Sequence, residues 1–184
     1  MRPSLDGSAE AVVGLLLACW KGLPALLRAD RWDAGGKERA RLLAGTRVLV
    51  LGGDPSHAET HGRADAVATL LQPVGVRLLR SPTSAVDVDG SGAPIDALVL
   101  LPGAPSLSSA EVEALPSGSV VVVASDAGEP TVDLDAIAGS LRSGRLAAFG
   151  LLIGEDDPAC PPPDHAVRSL PGSLVRVVPA GGRA

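Results

Sequence analysis

Two histidines stand four residues apart in the stretch "GGDPSHAETHGRAD", His57 and His61, with Glu59 between them and Asp54 just upstream. On a helical turn that spacing brings both rings to one side. Two imidazoles joined by a third ligand such as Asp54 make a donor set for zinc or another borderline metal. The same groups could also move protons on a small molecule. The pattern is not HExxH, in which glutamate directly follows the first histidine. The competing reading is a solvated surface loop.

The same stretch sits between an apolar strand, "RVLVLG", and a helical segment, "RADAVATLLQPVG". That is where a glycine-rich turn can hold a pyrophosphate. In GxGxxG the glycines let backbone amides approach the phosphates at a helix N-terminus. Here Gly52 and Gly53 remain as a pair, and Gly62 is the candidate for the last glycine. Asp54 and Glu59 bring negative charge to a place where a pyrophosphate needs none. The second strand ends in Arg80 and Ser81, with no acid there to bond a ribose hydroxyl. An arginine at that position suits a 2′-phosphate, so a bound dinucleotide would be NADP rather than NAD. A solvated arginine at a strand end, and no cofactor at all, are the other readings.

The elements that must position these residues alternate. "VRLLRS", "DALVLLPG", "GSVVVVASD", "LAAFGLLIG" and "SLVRVVPA" read as further strands, and the runs of continuous apolar residues suit a parallel sheet buried on both faces. Between them lie "SSAEVEAL", a helix capped by serine, and "VDLDAIAGSLRSGR", a helix with a glycine stop. "PTSAVDVDGSGAPI" is a Gly/Ser/Pro linker and "PACPPPDH" a rigid turn holding His165. Ahead of the first strand, "AEAVVGLLLACWKGLPALLRADRWD" has helical period, and Pro24 is expected to kink it. The alternation predicts an α/β fold: a Rossmann-like, doubly wound parallel sheet in a single domain. Residues 1–46 are its leading amphipathic helix and linker, and 47–184 the dinucleotide-binding-type body.

Composition narrows the function. The chain has 184 residues, 46% of them apolar, enough for a real core. Aromatics are 2% and the net charge is -5, so base-stacking surfaces and a basic footprint are missing and nucleic acid is not expected as a partner. Cys19 and Cys160 are far apart with no CxxC spacing, which fits two thiols in a reducing cytoplasm. The apolar run "AVVGLLLACW" follows Asp6 and Glu10 rather than a basic region and is too short for a span, so neither a signal peptide nor a membrane is expected.

Taken in order, these segments resemble the nucleotide-binding domain of the D-isomer-specific 2-hydroxyacid dehydrogenases, which include phosphoglycerate and formate dehydrogenases. "LLLACWKGLPALLRADRW" is similar to the helix that opens that domain and crosses the family dimer. "LAGTRVLVLGG" resembles its entry strand, and "LLQPVGVRLLRSP" the end of its first helix and its second strand. "VDLDAIAGSLRSGRLAAFG" is similar to a helix-strand unit of the family almost without gaps, and "PPPDHAVRSLPG" to the turn after it. The likeness covers most of Ala9 to Pro179.

The resemblance implies a separate substrate domain, for which this sequence offers no counterpart. It also implies a catalytic arginine, glutamate and histidine. The arginine position falls near Asp126 to Gly128, none of which is arginine. The glutamate position falls on Asp157, one methylene shorter, and the histidine position on Ala180. Alanine cannot move a proton, and an acid near the arginine position would repel a carboxylate. Matching "LLQPVG" to the family leaves about seven extra residues in the phosphate turn, the stretch that holds His57 and His61. Of the run Glu155, Asp156, Asp157, only Asp157 thus gains a site role; the run as a whole is expected to cap a strand end in solvent.

Three functions remain open on these residues. The chain is a catalytically degenerate domain that binds a nucleotide or a partner without redox chemistry. Alternatively, it is a repurposed enzyme using Asp157, His57 and His61 in acid-base or metal chemistry on a small molecule. The third is an NAD(P)-dependent oxidoreductase completed by a partner chain. The leading helix, with Trp20 and Trp32 as core or interface residues, is expected to form a homodimer, as its family counterpart does.

Overall fold

The tetravaline of "SVVVVA" is fully enclosed: every residue from Ser119 to Ala124 is buried, as a strand must be when helices cover both faces of its sheet. The computed structural model describes residues 8–23, 43–52, 58–81, 94–126 and 132–178. In chain order these form α1 (Ser8–Trp20), β1 (Arg47–Leu51), α2 (Ala58–Leu71), β2 (Arg77–Ser81), β3 (Ala97–Leu100), α3 (Ser109–Ala114), β4 (Ser119–Ala124), α4 (Leu134–Arg142), β5 (Leu146–Gly154) and β6 (Ser173–Val178), with single 3-10 turns at Gln72–Val74 and Ala166–Arg168.

The six strands make one sheet in the order β2-β1-β3-β4-β5-β6, and every pairing is parallel. The winding reverses at β1, which pairs with β2 on one side and β3 on the other. The expected doubly wound α/β fold is therefore observed.

Alternation of side chains along each strand divides the core in two. Val48, Val50, Val99, Val122 and Leu152 face α1 and α2, where they meet Val12, Leu16, Ala64 and Val67. Leu49, Leu51, Leu100, Val123 and Phe149 face the other way, onto α3, α4 and the second 3-10 turn through Val112, Ile137 and Val167. α1 lies against β4 and β5 and alongside α2. A Cβ built on Gly150 of β5 would stand 2.7 Å from Leu15 Cγ and 3.1 Å from Cys19 Sγ, so glycine is what lets α1 come this close.

The leading segment breaks after Trp20, where Lys21 N donates to Leu17 O and Gly22 N to Cys19 O, and it is helical again at Leu23, next to Pro24. Pro24, where a kink is expected, and Trp32 lie outside the described residues. One helix boundary differs from the sequence reading: α2 starts at Ala58, five residues before the "RADAVATLL" run. The run alone carries the apolar period that marks a buried helix face, whereas "AETHG" is helical by continuation of its backbone hydrogen bonds. The capped helices follow expectation. Ser108 and Glu111 form a reciprocal capping box on α3, and Asp133 caps α4 through Ala136 N at 2.9 Å.

Candidate functional site

In open α/β sheets ligands bind beyond the carboxyl ends of the strands, where the winding reverses. Here that place lies between β1 and β3. Leu101, following β3, donates its N–H to Leu51 O at 2.9 Å, and Gly52 turns away with φ +111°. A Cβ on Gly52 would come within 2.8 Å of Leu101 O. A side chain is excluded there both by backbone conformation and by space. Of the glycines singled out in the sequence, Gly52 is thus fixed by the geometry of the reversal point. Gly53 lies outside the described residues. Gly62 is inside α2, exposed, with open space around the position a Cβ would take.

Register places the other cofactor candidates on the same edge. Arg80 pairs with Val50 and Ser81 with Leu51, so the carboxyl end of β2 lies directly beside that of β1. This is the position from which a residue at the end of the second strand can meet a ribose. His57 and Asp54 lie outside the described residues. His61 stands in the first turns of α2. The structure therefore does not describe a pairing of the two histidines.

Asp157 is placed differently from its acidic neighbours. Glu155 and Asp156 are exposed, as expected for a solvated strand end, but Asp157 is half-buried. Its Oδ2 accepts a hydrogen bond from Ser125 Oγ at 3.1 Å, and its Oδ1 accepts one from Ala159 N at 2.8 Å. Its own N–H reaches Gly154 O at 3.2 Å, and its carbonyl receives Cys160 N at 2.9 Å. Asp157 thus ties the turn after β5 to the end of β4. The serine on that end is buried and also donates its N–H to Leu152 O at 2.9 Å.

Next to Ser125 is Asp126, the first of the residues near which the resemblance implies an arginine; Ala127 and Gly128 lie outside the described residues. Arg63 of α2 lies 3.7 Å from Asp126 Oδ2. Arg63 keeps only 17% of its side-chain surface exposed, and Asp126 keeps 43%. Arg63–Asp126 and Ser125–Asp157 together run along the carboxyl edge from α2 past β4 to β5. Sequence reading missed Arg63 and Ser125. Sixty-odd residues separate Arg63 from Asp126, and no local spacing joins them. Ser125 did leave a signal, because a serine closing an apolar, fully buried strand needs a hydrogen-bond partner.

His165 has a structural post. Its Nδ1 accepts from Val167 N at 3.2 Å, capping the 3-10 turn, and its Nε2 lies 3.5 Å from Asp135. Both cysteines are free thiols. Burial pushes the Cys19 thiol up to about 12, which leaves it inert. Cys160 is half-buried beside Arg168, whose Nη2 lies 3.4 Å from the sulfur while its Nε donates to Pro161 O at 2.9 Å.

No family model and no curated protein sequence matches this chain. Solved structures do. A phosphoglycerate oxidoreductase from Rhizobium etli is similar over 91% of this chain, at 23% identity and a TM-score of 0.68. An NAD-dependent formate dehydrogenase from Staphylococcus aureus, in complex with NAD, is similar over 92%, at 19% identity and a TM-score of 0.69. A formate dehydrogenase from Granulicella is similar over 93%, at 24% identity and a TM-score of 0.65. The chain spans 56%, 53% and 48% of these three structures, about half of each. The resemblance read from the sequence is therefore matched in fold: the chain has the Rossmann-like architecture of dehydrogenases of this kind.

Proposed function

We propose that this chain is a nucleotide-binding domain of the 2-hydroxyacid dehydrogenase type that holds NADP or NAD without carrying out the hydride transfer of that family. The observation that supports this most is the division of labour at the carboxyl edge. At the reversal point the chain leaves β1 through Gly52, whose φ of +111° and contact with Leu101 require glycine, in the place where a fold of this kind receives a phosphate. None of Asp126 to Gly128, near which the resemblance puts the catalytic arginine, is an arginine, and the two acids at these places are engaged by the protein itself, Asp126 on Arg63 and Asp157 on Ser125 and Ala159. A carboxylate whose two oxygens brace a turn is poorly placed to hold an imidazole in its charged form. Ala180, matched to the histidine, lies outside the described residues. NADP is favoured over NAD because the strand end beside β1 carries Arg80 and Ser81 and no acid.

We place the protein in the cytoplasm, a reading that the two free thiols support. Among the described residues no helix is long and apolar enough to cross a membrane. We also propose a homodimer through the leading helix. Val13 and Leu17 on α1 are only half-buried by the chain's own core, and Leu23 just beyond is exposed.

The non-redox half of this reading is tested by following absorbance at 340 nm with reduced NADP or NAD and a panel of 2-keto acids. No enzyme-dependent change is expected. Turnover with any member of the panel would overturn it.

A further inference from the structure

The ion pair between Arg63 and Asp126 lies at the carboxyl edge of the sheet, where open α/β sheets take their ligands. Arg63 belongs to the helix that follows β1, and Asp126 to the end of β4. β3 lies between these two strands, so the pair joins residues from either side of β3 on the edge where the winding reverses. α2 returns from the carboxyl edge to the start of β2, which keeps its early residues, Arg63 included, at that edge.

The geometry of the pair is that of a loose hold. At 3.7 Å the contact exceeds the roughly 2.7–2.9 Å of a charge-assisted N–H···O bond, so Asp126 holds the guanidinium by charge and not by a close hydrogen bond. Arg63 is largely enclosed, whereas Asp126 is the more exposed partner and the one free to swing toward water. A phosphate carries more charge than a carboxylate and offers oxygens that match the guanidinium fork two at a time. Where such an anion reaches Arg63, it makes the shorter bonds.

From this we infer that Arg63 is an anion-recognising residue of the carboxyl edge and that Asp126 is its placeholder, displaced when a phosphate-bearing ligand binds. The inference rests on the nucleotide-binding reading for its natural ligand, but the exchange itself concerns any phosphate that enters. Asp126 then lowers phosphate affinity in two ways: it occupies the guanidinium, and its charge repels the newcomer.

Calorimetric titration of the full chain with pyrophosphate, and separately with NADP, tests this on the wild type, Asp126→Asn, Arg63→Gln and the double variant. Matching circular dichroism serves as the check on folding, and Arg63→Lys stands in if Arg63→Gln fails it. Asp126→Asn is expected to tighten pyrophosphate binding by up to about fivefold, the range of an exposed ion pair. Arg63→Gln is expected to weaken it. In the Arg63→Gln background Asp126→Asn is expected to lose most of its gain. The same pattern with pyrophosphate but no binding of NADP by any variant keeps the exchange and removes the dinucleotide reading. The inference is overturned if Asp126→Asn leaves pyrophosphate affinity unchanged, if its gain is undiminished without Arg63, or if no variant binds pyrophosphate.

Discussion

Ser108 and Glu111 show how a pair of small polar contacts fixes a chain end. The Ser108 hydroxyl receives Glu111 N, and the Glu111 carboxylate receives the Ser108 hydroxyl at 2.6 Å and Ser108 N at 2.9 Å. The two bonds to the carboxylate, from the Ser108 hydroxyl first and from its backbone N–H second, hold the Glu111 carboxyl below its ordinary range. A carboxyl with a depressed folded value stabilises the fold above its unfolded pKa, and that stability is lost as pH falls through the folded value. Ser108→Ala is therefore expected to cost about 1 kcal/mol at neutral pH. The cost should shrink in acid, once Glu111 is protonated in both proteins. Urea unfolding at two pH values checks this, and an equal penalty at both would contradict the reciprocal cap. At this scale the sequence was legible where contacts are local, as in the serine cap of this helix, whose reciprocal partner Glu111 the structure adds. It was silent where a contact joins distant segments, as for Arg63 with Asp126 and Ser125 with Asp157. Asp157 was visible as a candidate, but its half-burial was not, because burial depends on the end of β4 folding over from thirty-odd residues away.

At the scale of elements, the strands were readable because a parallel sheet covered on both faces demands uninterrupted apolar runs, and such runs are scarce elsewhere in the chain. Helix limits were less readable. "AETHG" is neither apolar nor periodic, so its place at the start of α2 depends on the helix that follows it. The approach of α1 to the sheet was hidden too, since it turns on a glycine within an apolar strand, "LAAFGLLIG". The packing there makes a sharp prediction. Gly150→Ala puts a methyl 2.7 Å from Leu15 Cγ, between α1 and β5, with Cys19 at 3.1 Å on the same side. It is expected to destabilise the fold by about 1–3 kcal/mol through overpacking, and Gly150→Val by more. Neutral effects in chemical denaturation would mean that α1 does not sit on this face in solution.

For the whole molecule, the architecture and its likeness to dehydrogenases were legible, whereas the natural ligand was not. A fold sets where a ligand enters but not what enters, and the residues that would choose it are spread over β1, β2, β4 and α2. The proposed homodimer belongs to this scale. Light scattering at micromolar concentration is expected to give twice the chain mass of 18.4 kDa, and a monomer would contradict it. The central claim is that the reversal point at Gly52 still receives a dinucleotide. Thermal unfolding with saturating NADP, then NAD, tests it most directly. A ligand at a hundredfold its dissociation constant adds about 2.7 kcal/mol of stability, which in a chain of this size raises the midpoint by roughly five to ten degrees. The account predicts such a rise with NADP and a smaller one with NAD at the same concentration. An unchanged midpoint with both would mean that the turn after β1 no longer holds a dinucleotide.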